Sequence, residues 1–121
     1  MVSGNEMSYK EFWMEVQYVG CALNYFGIQK TEKVAIHSEN RPEWLIADIG
    51  VQAIGGITVG LYPTNPPAEV QYLLSHSESK ILFAEDQEQV DKALEVLDEV
   101  PNLSKIIYFE EKGLFLSLIH I

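Results

Sequence analysis

The chain has 121 residues, enough for one small domain. Its 47% hydrophobic and 21% charged residues are ordinary globular proportions, so disorder is excluded as the default. With 18 acidic residues against 8 Lys and Arg the net charge is −10, a field that repels nucleic acid and anionic membrane surfaces and is explained by solubility.

Cys21 is the single cysteine, so no intramolecular disulfide and no Cys-rich metal site can form, and a small buried apolar side chain is expected there. No basic segment leads into an apolar core at the N-terminus, and no apolar run reaches the ~18 residues of a spanning helix. A cytoplasmic protein is the expectation. Asn102-Leu103-Ser104 matches the glycosylation sequon, a coincidence without a secretion signal. The acids crowd between residues 85 and 111, as solvated helix faces do.

The first helix spans residues 8–27. Ser8 and Glu11 have the spacing of a capping box. Tyr9, Phe12, Val16, Val19, Leu23 and Phe26 recur at three and four and form its inward face, and Gly27 supplies the left-handed stop. A short strand follows at 33–37 on Val34 and Ile36. It runs into Ser38-Glu39-Asn40-Arg41-Pro42, with Asn40 or Arg41 at the helix N-cap and Pro42 near the first helical position.

The helix over 42–54 is apolar on nearly every side, through Trp44, Leu45, Ile46, Ala47, Ile49, Val51, Ala53 and Ile54, with Asp48 the polar exception. Such a helix is covered on more than one side. One sheet cannot do that alone, so a partner outside the chain is expected on its outer face, and self-association of the isolated chain with it. Gly55-Gly56 ends the helix. The strand at 57–62 is apolar enough for burial on both faces. In Pro63-Thr64-Asn65-Pro66-Pro67, Asn65 is the expected cap of a helix with Val70, Leu73 and Leu74 inward, fading near His76-Ser77.

A third strand is expected at 80–84. Asp86 and Gln89 have the spacing of a second capping box, and the helix they open buries Val90, Ala93, Leu94 and Leu97, with Glu88 and Lys92 paired at i, i+4. Pro101-Asn102 breaks it, and a fourth strand runs over 105–109. The alternation of strands and helices specifies an α/β fold with a parallel sheet and right-handed βαβ crossovers. The segment 114–121 carries no acid, no Lys or Arg and no turn signal; it reads as a fifth strand or as a foreign tail, with the tail favoured.

Chemistry is harder to find. Gly55, Gly56 and Gly60 follow a helix or lie within a strand, the wrong side for a phosphate-binding loop, and no P-loop sequence exists. His37, His76 and His120 have no metal-ligand spacing with one another or with Cys21. Ser75-His76-Ser77 resembles a nucleophile and base, but adjacent helical residues face apart. Glu85-Asp86 follows a strand as metal-binding acids do in receiver domains, yet Asp86 is better explained as a cap. Arg41, flanked by Glu39 and Glu43, reads as a surface ion pair. No catalytic, cofactor-binding or metal-ligating residue is assigned.

Met7-Ser8-Tyr9-Lys10-Glu11-Phe12 resembles the first core motif of adenylate-forming enzymes, and residues 53–64 resemble the second, an Ala-Gly stretch leading to a strand and a Pro turn. Ser38-Glu39-Asn40-Arg41-Pro42-Glu43-Trp44 and Tyr62-Pro63-Thr64 are similar to the long-chain fatty-acid–CoA ligase branch. His76-Ser77-Glu78-Ser79-Lys80 and Leu82-Phe83-Ala84-Glu85-Asp86 continue the likeness. It runs from Ser8 to about Phe109. The resemblance implies an enzyme that activates a fatty acid with ATP and Mg²⁺ to an acyl-adenylate, which coenzyme A then converts to the thioester. It also implies that the phosphate loop, the adenine and ribose motifs and the catalytic lysine lie downstream.

The expectation is thus a partial AMP-binding N-terminal domain over 1–113, inactive alone and binding no cofactor by itself, followed by a non-native or disordered tail over 114–121. Fatty acid, ATP and CoA would be partners of the parent enzyme, whose membrane association is left open. The alternative is a standalone binding or interaction module using the Thr64 loop or the His37 end, where open parallel sheets place ligands.

Overall fold

The computed structural model describes residues 8–39, 41–109 and 116–120, with side chains through residue 108. Helix α1 (Tyr9–Tyr25) begins on the Ser8 capping box. The Glu11 N–H donates to Ser8 Oγ at 3.1 Å and the Ser8 N–H donates to Glu11 Oε1 at 2.9 Å. That second bond holds the Glu11 carboxyl below its ordinary pKa. The helix stops at Gly27, whose φ of +89° only glycine adopts freely.

The remaining elements are β1 (Lys33–His37), α2 (Pro42–Ala53), β2 (Ile57–Leu61), α3 (Pro67–Ser77), β3 (Ile81–Ala84), α4 (Gln87–Glu95), a 3₁₀ turn (Leu97–Glu99), β4 (Lys105–Phe109) and β5 (Leu116–His120). The strands form one sheet in the order β2-β1-β3-β4-β5. The first four pair in parallel and β5 runs antiparallel beside β4. From β1 the chain moves one way along the sheet and from β3 the other. Crossovers of one hand therefore place α2 and α4 on opposite faces.

Two cores result. On one face Val16, Val19 and Leu23 of α1 and Ile46, Ala47 and Val51 of α2 pack on Val34, Ile36, Ile81 and Phe83. On the other, Val70 and Leu74 of α3 and Val90 and Ala93 of α4 pack on Ala35, Leu82 and Ile106.

Several expectations change at this level. The outer cover of α2 is α1 itself, which lies on the same face of the sheet; a methyl at Gly50 would stand 2.6 Å from Val19 Cγ1. The sheet is not the only cover, because α1 and α2 share one core on this face and no outside partner is needed there. What remains uncovered on α2 is chiefly Leu45, 45% exposed. Strand β2 is not buried on both faces, because it is the sheet's edge: Ile57 is 44% exposed and Gly60 is exposed.

Tyr9 is exposed rather than inward, and it meets Trp13 edge-on at 6.2 Å instead of the sheet. Cys21 is exposed, since it lies about 200° around the helix from the buried Val19. On α4, Leu94 is exposed and Gln89 takes a buried place. The backbone of the terminal segment adopts the fifth-strand alternative over 116–120; residues 110–115 and 121 and the N-cap candidate Asn40 lie outside the described residues.

Candidate functional site

In a parallel sheet ligands collect at the carboxyl ends of the strands, above all where neighbouring strands send their connections to opposite faces. Here that point lies between β1 and β3. His37 ends β1. Its side chain is fully buried by its strand neighbours, and Nε2–H donates to the Tyr62 carbonyl at 2.7 Å. That bond fixes the tautomer, leaving Nδ1 bare and, among the described residues, without a partner. Burial pushes the His37 pKa down, with the Lys92 ammonium adding to the effect; the Tyr62 hydrogen bond and the charge of Asp86 oppose it.

The loop after β2, which holds Thr64, is tied down rather than open. Lys92 of α4 reaches across and donates to the Pro63 and Asn65 carbonyls at 2.7 and 2.9 Å. Its sequence partner Glu88 is 3.9 Å away and mostly solvated, so the carbonyls are the stronger claim on the ammonium. Asn65 does not cap α3, whose N-cap is Pro66. Its carboxamide turns back to accept from the Tyr62 N–H at 2.8 Å and donates to Glu69 at 2.7 Å.

Between β1 and β3 the crevice is filled by the protein's own charges. Glu85, at the end of β3, accepts from the Glu39 N–H at 2.7 Å and faces Arg41 at 3.5 Å. Arg41 also pairs with Glu43 at 3.1 Å, and the Glu39 carboxylate is not in this pair. Asp86 caps α4, accepting from the Gln89 N–H at 3.1 Å. The box is half made, because Gln89 Oε1 is buried without a partner among the described residues.

The Arg41–Glu85 pairing joins residues 44 apart. No local pattern announces it, and the Glu85-Asp86 dipeptide was its only trace in the sequence.

The other sequence candidates are separated. The His76 ring stacks on Tyr72 with centroids 5.5 Å apart. Ser75 Oγ donates to the Glu99 carbonyl at 2.9 Å, and Ser77 Oγ bonds Ser79 Oγ at 2.7 Å, so no nucleophile–base pair forms. Gly55 turns with φ of +84°, and Gly56 lets β2 begin close against Val51.

The fit to a nucleotide and Mg²⁺ is poor. Among the described residues no three His, Cys, Asp or Glu side chains gather as a metal site. The helices that start at the strand ends begin at Pro42, at Pro67, and behind the Asp86 carboxylate, which already holds the amide a phosphate would take. Among the described residues this end of the sheet positions loops.

A second feature lies on the sheet's edge. Trp44, Asp48 and Gln52 of α2 and Thr58 and Gly60 of β2 line an open groove of about 460 Å³. Asp48 Oδ1 accepts from Gln52 Nε2 at 2.9 Å. Thr58 Oγ1 is sealed from water without a partner among the described residues.

A long-chain-fatty-acid–CoA ligase of Xenopus laevis is 32% identical over 108 residues, covering 89% of this chain and 15% of the relative. One from Mycobacterium bovis is 30% identical over 99 residues, covering 82% of this chain and 16% of the relative. The chain thus spans roughly a sixth of the curated relatives it matches. Among solved structures, an anthranilate CoA ligase in complex with anthranoyl-AMP superimposes with a TM-score of 0.83 at 25% identity, covering 88% of this chain and 20% of that one. An acetoacetyl-CoA synthetase from Streptomyces lividans, at 20% identity and a TM-score of 0.80, shares the fold over 90% of this chain and 18% of its own. The family described as AMP-binding enzyme matches residues 1–117, so the chain belongs to the AMP-binding enzyme family.

Proposed function

We propose that the chain is the N-terminal part of an ATP-dependent long-chain fatty-acid–CoA ligase and is inactive alone. The observation that carries this reading is the 32% identity to a long-chain-fatty-acid–CoA ligase across 89% of the chain. The whole enzyme would join a fatty acid to AMP at the expense of ATP, with Mg²⁺, and then pass the acyl group to coenzyme A. This part contributes a scaffold: His37 and Lys92 hold the residue 62–65 loop, and Glu85 and Arg41 fix the first turn of α2. Nucleotide, metal and thiol would be held by residues elsewhere in the longer chain, and residues 114–121 would add little to the scaffold.

No helix among the described residues is long and apolar enough to cross a membrane. A cytoplasmic location and self-association of the isolated part through its uncovered apolar side chains complete the proposal. The standalone-module alternative loses ground because its two binding places, the His37 end and the Thr64 loop, are occupied by internal hydrogen bonds. Fatty-acid-dependent exchange of pyrophosphate into ATP tests the reading. The chain alone should give no rate above a protein-free blank, and a clear rate would overturn it.

A further inference from the structure

Among the described residues strand β2 has a neighbour on one side only, so half of its backbone groups find no strand partner there. The direction of each is fixed. The Ile57 N–H donates to the Glu32 carbonyl, on the β1 side, at 2.9 Å. Successive residues of a strand point their N–H and C=O to opposite sides, so Val59 and Leu61 also face β1. Thr58 and Gly60 therefore direct their N–H and C=O outward, along an edge with no charge, proline or bulge over Ile57–Leu61. Edges left this way pair with another strand unless they are blocked. The opposite edge of the parallel set is already closed by β5.

The surroundings narrow what would pair there. The groove beside the edge is lined in part by the apolar Trp44, and the Thr58 hydroxyl there is sealed from water without a partner among the described residues. Asp48 on its wall favours a basic side chain. A second copy of this chain is a poor occupant. Antiparallel pairing of β2 with itself would set two Asp48 carboxylates along one seam, so self-association through other apolar side chains leaves this edge free. The relatives are more than six times as long as the matched part, which leaves ample chain to supply a strand.

We propose that the outer edge of β2 receives one further β-strand from a part of the longer ligase chain outside the matched segment. That strand bonds the Thr58 and Gly60 backbone groups, lies in the Trp44–Asp48–Gln52 groove and brings a basic residue toward Asp48. The sheet then reads added strand, β2, β1, β3, β4, β5. The inference rests on the ligase reading for the source of the strand; the open edge stands independently of it.

The test uses the ¹⁵N-labelled 121-residue chain and overlapping peptides of about twelve residues, long enough for one strand. The peptides span the Xenopus laevis ligase, inside and outside its matched segment. In the free chain the Thr58 and Gly60 amides should exchange fast and Val59 slowly. A peptide from outside the matched segment should slow both outward amides by at least about tenfold and leave Val59 unchanged. Gly60→Pro removes only an outward donor, at a position where a Cβ meets nothing within 4 Å, and should abolish the effect. The same peptide N-methylated on alternate residues should fail as well, which tests the hydrogen bonds without altering the protein.

Four results overturn the proposal: no peptide slowing these amides, slowing only by peptides from the matched segment, equal binding by Gly60→Pro or the N-methylated peptide, or slow exchange of both amides in the free monomer. A ligase-like coding sequence downstream with unprotected amides sinks the strand and leaves the ligase reading intact. A downstream sequence unlike a ligase sinks that reading whatever the amides do.

Discussion

Gly50 of α2 and Val19 of α1 meet closely: a Cβ built on Gly50 would stand 2.6 Å from Val19 Cγ1 and 3.0 Å from Val19 Cβ. Because Val19 is β-branched and buried, it has no free end to swing aside. Gly50→Ala should therefore lose about 1–3 kcal/mol to overpacking, more than the roughly 1 kcal/mol of helix propensity it gains. Gly20 is the opposite case. Its added Cβ would meet Ile54 Cγ2 at 3.6 Å, an ordinary contact, so Gly20→Ala should stabilise by about 0.5–1 kcal/mol. Urea unfolding of the two variants checks both signs. A stabilised Gly50→Ala would mean that α1 is not seated on α2 as described.

Acid should weaken the fold through His37. Its folded pKa lies below the unfolded value of about 6.5, so the unfolded chain takes up the proton first. The contribution is fully present above that pH and is lost as the pH falls through it toward the folded pKa. The physical cause is burial, which penalises the charged ring; the added proton would sit on Nδ1, which has no hydrogen-bond partner among the described residues. His37→Gln keeps a donor for the Tyr62 carbonyl and removes the titration. Between about pH 7.5 and pH 5.5 the native chain should lose unfolding free energy relative to this variant. Parallel pH profiles would contradict the assignment.

Glu85 should matter more than Arg41. Glu85 supplies the acceptor for the Glu39 N–H and is largely shielded, whereas Arg41 is 39% exposed in its side chain. Arg41→Ala should cost at most about 1 kcal/mol, as exposed pairs do. Glu85→Ala should cost more, about 1–2 kcal/mol, since it removes the charged acceptor of the Glu39 N–H together with the partner of Arg41. Equal effects in thermal unfolding would show that the ion pair, and not the backbone bond, closes the crevice.

Local signals in the sequence carry the element boundaries. Ser8, Gly27, Pro42 and Asp86 each act at a chain reversal within a few residues, and β1 and β4 fall where their apolar cores place them. Errors arose where the answer depends on which layer lies above a residue. Tyr9 and Leu94 fit an inward stripe and Cys21 is of a commonly buried type, yet each sits where no layer among the described residues covers it. Strand β2 looks like an interior strand because its composition does not reveal the edge. Asn65 is expected as a helix cap and Arg41 as a partner of its sequence neighbours; Asn65 instead accepts from the Tyr62 N–H, and Arg41, besides Glu43, reaches the distant Glu85.

Residues 114–121 give a prediction with two clear arms. The backbone of β5 pairs with β4 from Lys105↔His120 to Phe109↔Leu116. If the segment adds little, deleting 114–121 should leave the thermal midpoint about unchanged and raise solubility, since an uncharged edge sticks. A loss of several kcal/mol, as expected for a strand burying apolar surface at about 25 cal/mol per Å², would make it part of the core.

The central claim is that this chain is the scaffold end of a larger ligase. The most direct measurement is the reading of the coding sequence beyond Ile121 from full-length transcripts. The account predicts an open frame, in at least one transcript, that carries a loop of the form Tyr-Thr-Ser-Gly-Thr-Thr-Gly-x-Pro-Lys-Gly and a later lysine-bearing domain. Transcripts that all stop, or that continue into an unrelated domain, would contradict it.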